Sequence, residues 1–81
     1  MRPIEEDEGY QAMCEQEKEL AHKLTSVSSA LLLFSSAELK PGETVEQRLA
    51  RVEELRAQRN ELERQHLLVA QAIWNLKASW R

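Results

Sequence analysis

The chain has little of what irregular folds need. Its 81 residues include two glycines and two prolines, so few turns can be placed, and only four valines, two isoleucines and two threonines favour strands. A sheet of many short strands is excluded on both counts. Cys14 is the only cysteine, which rules out an intramolecular disulfide framework and suits a reducing, cytoplasmic setting. Long apolar runs are also missing. The most lipid-like stretch, Val27 to Ala37, carries four serines and is too short to span a bilayer. The N-terminus is acidic where a secretory signal would begin basic and apolar. A net charge of −3 argues against a nucleic-acid partner, since phosphate binding calls for a basic face.

What is present is helical periodicity. Charged residues make up 31% of the chain and apolar ones 42%, a balance suited to amphipathic helices with one wet face. From Thr44 to Trp80, a stripe of Val45, Leu49, Val52, Leu55, Leu62, Val69, Ile73, Leu76 and Trp80 recurs at helical spacing. In heptad terms Val45, Val52, Arg59, His66, Ile73 and Trp80 share one seam position, and Arg48, Leu55, Leu62, Val69 and Leu76 share the other. Upstream, the two seam positions are Tyr10, Glu17, Leu24, Leu31 and Met13, Leu20, Val27, Phe34.

These patterns divide the chain into residues 1–9, an acidic tail or helix start, and residues 10–81, a helical hairpin with helix 10–37, turn 38–43 and helix 44–80. Gly9 favours a start near Tyr10. Lys40-Pro41-Gly42 breaks the helix, because the residue before a proline avoids the α region and glycine permits a reversal. Thr44-Val45-Glu46-Gln47 then matches a capping box. The expected fold is all-α: an antiparallel hairpin of two long helices, completed as a four-helix bundle or coiled coil by a partner chain.

Folding back at Pro41 brings Glu17 to within about one helical turn of His66. This polar pair at the seam would set register, at some cost in stability. On the exposed faces, Glu15 with Lys18 and Glu19 with Lys23 are spaced to pair.

Both helices carry more apolar surface than one seam uses. Leu31, Leu32, Leu33 and Phe34 crowd the end of the first helix among small serines. Leu67, Leu68, Ile73, Trp74 and Trp80 crowd the end of the second. These nine residues are the expected partner-binding surface, taken by another protein or a second copy, with a homodimer favoured and neither nucleic acid nor membrane expected.

No catalytic residue, cofactor site or metal site is assigned. His22, His66 and Cys14 lack ligand spacing, and no glycine-rich phosphate loop is present. The expected role is therefore non-enzymatic: a small helical assembly subunit, adaptor or chaperone. In size and hairpin plan the chain resembles the small helical co-chaperones of bacterial type III secretion, which implies a co-chaperone-like role. The alternative is a regulator of nucleic acid, or of a basic nucleic-acid-binding protein, resting on the acids Glu5 to Glu8 and the arginines of the second helix. A coiled-coil piece of a longer chain is a third reading, against which the initial Met1 weighs.

Overall fold

The computed structural model describes residues 2–80 of the chain; Met1 and Arg81, the ends of the expected tail and hairpin, lie outside the described residues. A short 3-10 turn, Ile4–Glu6, precedes two helices, α1 (Glu8–Ser36) and α2 (Val45–Ser79). The helices pack against each other as a hairpin, forming a rod of 63 × 15 × 15 Å. Among the described residues no strand forms.

α1 begins two residues earlier than the glycine suggested. The Asp7 carboxylate accepts the Tyr10 backbone N–H at 2.9 Å, acting as N-cap, and Glu8 sits in the first turn, where the helix dipole favours negative charge. This cap places Gly9 inside the first turn at small cost. Arg2 pairs with Asp7 at 3.2 Å, and the Gln11 amide donates to the Glu5 carbonyl, so the acidic stretch is folded back onto the helix start.

The reversal follows from residue chemistry. The Glu43 N–H donates to the Lys40 carbonyl at 3.0 Å across Pro41 and Gly42, and Gly42 has φ of 83°. Proline at the second and a left-handed glycine at the third position are the marks of a type II turn. Thr44 then starts α2 with the full capping box: its hydroxyl accepts the Gln47 N–H at 3.1 Å, and the Gln47 side chain accepts the Thr44 N–H at 3.0 Å. Thr44→Ala is expected to lower stability by about 1 kcal/mol, read as a shift in the urea midpoint.

The seam is as the heptads place it, with one exception at its start. Leu20, Leu31, Val52 and Leu55 are buried, and Val27, Ala30 and Phe34 pack against the Leu31–Val52–Leu55 cluster. The other seam positions are half-buried, Val45 excepted. Val45 and Leu49, placed on the apolar stripe by spacing, are instead exposed, because Arg48 takes the inward position at the first turns of α2. The outer faces carry ion pairs at helical spacing: Lys23–Glu19 on α1, and Arg51–Glu54, Arg56–Glu53, Arg59–Glu63 and Arg64–Glu61 on α2. Among the described residues α1 makes the Lys23–Glu19 pair but not the expected one between Glu15 and Lys18. Pairs this exposed contribute a few tenths of a kcal/mol each.

Packing is uneven along the rod. The buried cluster lies in the half nearest the turn. Among the described residues of the terminal half the one buried residue is Leu20, near mid-rod; from Tyr10 to Glu19 and from Leu62 to Trp80 none is.

Candidate functional site

Three features stand out from the bare hairpin: a clamp at the turn, polar contacts in the terminal half, and apolar side chains left in water.

The clamp is built by Arg48, which is 8% exposed and sits opposite the last turn of α1. A guanidinium has five N–H donors, and here five acceptors surround it. Nη1 donates to the carbonyls of Phe34 at 2.8 Å and Ala37 at 2.9 Å. Nη2 donates to the Glu38 carbonyl at 3.1 Å and to Glu43 Oε1 at 2.6 Å, while Nε donates to Glu43 Oε2 at 3.3 Å. The Phe34 carbonyl is one that the last turn of α1 leaves without an intrahelical partner, Ala37 is the C-cap and Glu38 follows it, and the helix dipole there also favours a cation. Arg48 thus caps α1 from α2 and grips Glu43 in the turn. Its guanidinium carbon lies 5.5 Å from the Phe34 ring centroid, and that of Arg51 lies 5.7 Å away, which covers the ring.

Sequence reasoning placed Arg48 at a seam position without giving it a role. A basic residue at an inward position, one turn after a capping box and facing a helix end, is the signal that could have found it.

The clamp leaves an electrostatic mark. The hydrogen bond from Arg48, then that from the Lys40 N–H, holds the Glu43 carboxyl below its ordinary value of 4.5, against a smaller desolvation effect. A depressed folded value means that the unfolded chain binds the proton more readily. Stability from this group is therefore full above about 4.5 and is lost as pH falls through the lower folded value. Glu43→Gln is expected to be less stable than the parent at neutral pH and to show a shallower decline in that acid window. Urea midpoints measured from neutral pH to about pH 3 check this.

Glu17 and His66, the expected register pair, do meet: His66 Nε2 lies 3.3 Å from Glu17 Oε1, with both side chains about one third exposed. Nearby, Arg59 Nε is buried without a hydrogen-bond partner, Glu63 Oε1 being 3.8 Å away. Polar side chains thus interrupt the seam at mid-rod. Toward the termini, Lys77 Nζ lies 5.9 Å from the Tyr10 ring centroid, and Trp80 Nε1 donates to the Arg2 carbonyl at 3.1 Å.

The nine expected partner-binding residues separate into two groups. Leu31 belongs to the hairpin's own interior, because its heptad position faces Val52 and Leu55; it is not a free surface residue. Phe34, Ile73 and Trp80 are half-buried along the seam. Leu32, Leu33, Leu67, Leu68 and Trp74 are exposed, Leu32 and Trp74 by more than two thirds, at 69% and 68%. The reading also missed Leu39, Val45 and Leu49, which expose further apolar surface at the turn end. Heptad position was the usable signal: consecutive leucines cannot all face one partner helix.

The chain is thus an all-α helical hairpin with apolar side chains exposed toward both ends. No family model matches it, and no curated protein or solved structure shows significant similarity to it. No helix among the described residues is long and apolar enough to cross a membrane.

Proposed function

We propose that the protein is a non-enzymatic interaction module, a small helical subunit that completes its fold against another polypeptide. The observation that carries this is the mismatch between its interior and its surface. Among the described residues four apolar side chains are buried, while Leu32, Leu33, Leu39, Val45, Leu49, Leu67, Leu68 and Trp74 stay exposed. A chain of this size is near the lower limit for a self-sufficient core, and apolar patches of this extent mark contact surfaces. The exposed groups lie mainly on the flanks of the seam, where further helices would add to the hairpin and make a four-helix bundle. A role as assembly subunit, adaptor or chaperone follows, in a cytoplasmic setting that suits an unpaired thiol.

The test replaces Leu32, Leu33, Leu67, Leu68 and Trp74 together by glutamine. The parent is expected to self-associate, or to aggregate when its partner is missing. The variant is expected to remain dispersed, because its apolar flanks are gone. Parent and variant behaving alike, as monodisperse monomers of equal thermal stability, would count against the proposal.

A further inference from the structure

We infer that the occupant of the exposed surface is a second copy of the chain, docked with its rod reversed through the face that carries Leu32, Leu49, Leu67 and Trp74. This rests on the interaction reading above and deepens it by naming the partner.

The face follows from helix geometry. Consecutive residues on a helix are about 100° apart, so Leu32 and Leu33 flank the α1 seam on opposite sides, as do Leu67 and Leu68 on α2. In an antiparallel pair, equivalent flanks of the two helices share one side of the hairpin. Leu32 therefore shares a broad face with Leu67, with Trp74 seven residues further on, and with Leu49. Leu33 and Leu68 lie on the other side. Between the apolar ends of the first face, α1 presents Ala21, Thr25 and Ser28, whose small side chains allow a second backbone to approach closely, while α2 presents the polar Glu53, Arg56, Asn60 and Glu63.

The area fits a dimer. The chain exposes 6231 Å². A compact monomer of its 9.4 kDa mass would expose about 5,000 Å². The excess, about 1,200 Å² per chain, comes from the elongated rod, and removing it from both chains by side-by-side packing would bury an area in the range of about 2,000 Å² and above typical of permanent homodimers.

The positions of the patches select self-pairing and its direction. The apolar groups sit toward opposite ends of a 63 Å rod, so a single partner covers both only if it is equally long. A second copy has that length, and a closed twofold lets each chain use both patches at once. With the rods reversed, the packed turn half of one chain, carrying Leu32 and Leu49, backs the terminal half of the other, in which Leu20 alone among the described residues is buried, near mid-rod, and which exposes Leu67 and Trp74. The two α1 helices then cross near Ala21 to Ser28. Rods in the same direction would leave both loosely packed halves together.

Nitroxide distances test this. In a Cys14→Ala background, single labels go on Ser36→Cys or Gln71→Cys, two exposed positions on the outer edges of the helices and off the proposed face. Circular dichroism confirms that each variant stays helical. Reversed rods put two Ser36 labels about 40 Å apart, and place a Ser36 label about 25 Å from a Gln71 label on the other chain, from a 1.5 Å rise and helix spacings near 10 Å. Rods in the same direction invert that order, with the Ser36 pair the closer, and would overturn the inference. A chain that stays unfolded or aggregates until another protein is added would also overturn it, while leaving the interaction reading standing. A stable helical monomer would overturn both.

Discussion

Arg48→Ala is expected to lower the stability of the hairpin by about 2–3 kcal/mol and to loosen the turn before the rest of the rod. The size follows from what is left behind. Truncation strands the carbonyls of Phe34, Ala37 and Glu38 at the end of α1 and releases Glu43, and buried polar groups stripped of their partner cost on the order of 1–3 kcal/mol each when water cannot reach them. Water will reach some of these carbonyls at the turn, which keeps the estimate below their sum. Arg48→Lys is the informative control. Lysine keeps the charge near the helix C-terminus but has three donors on a point charge, where five donors in a planar fork are in use. It is expected to recover less than half of the loss. Amide hydrogen exchange should show the last turn of α1 and the first of α2 opening first in both variants. Equal protection in parent and Arg48→Ala would mean that the clamp is incidental.

Leu55→Ala carries the other large effect. Leu55 is 3% exposed, the least exposed of the core residues, and it closes the cluster with Leu31 and Val52. Removing a buried leucine side chain costs about 2–5 kcal/mol through lost burial and the cavity left behind. For a chain of this length total stability is on the order of 4–12 kcal/mol, so one substitution takes a large share. Leu39→Ala, on an exposed leucine in the turn region, is the matched control and should shift the urea midpoint little. If Leu55→Ala were equally mild, the core would lie elsewhere.

Much of the hairpin could be read from the sequence because helical periods and caps are local signals. Thr44 with Gln47 named the start of α2, Pro41-Gly42 named the turn, and the heptads named the seam almost residue by residue. The two-residue miss at α1 came from giving Gly9 more weight than the N-cap chemistry of Asp7. Arg48 was harder to see. Its five acceptors lie 5 to 14 residues away, and only the closed turn collects them. Leu31 stands both on the seam and in the expected partner surface, and the hairpin uses it on the seam, the one member of its run of three leucines that turns inward. Leu32, Leu33, Leu67, Leu68 and Trp74 were legible as excess, since an apolar residue off the seam has no place in a two-helix interior. What covers them is not written in one chain's periodicity, and it is proposed here from shape and area.

The central claim is that the hairpin completes its fold by association. Light scattering after size exclusion, read alongside helicity by circular dichroism over a wide dilution series, tests it most directly. A helical species of about twice the 9.4 kDa chain mass is expected at high concentration, with mass and helicity falling together on dilution. A monomer that keeps full helicity and a sharp thermal transition at the lowest concentration would contradict it.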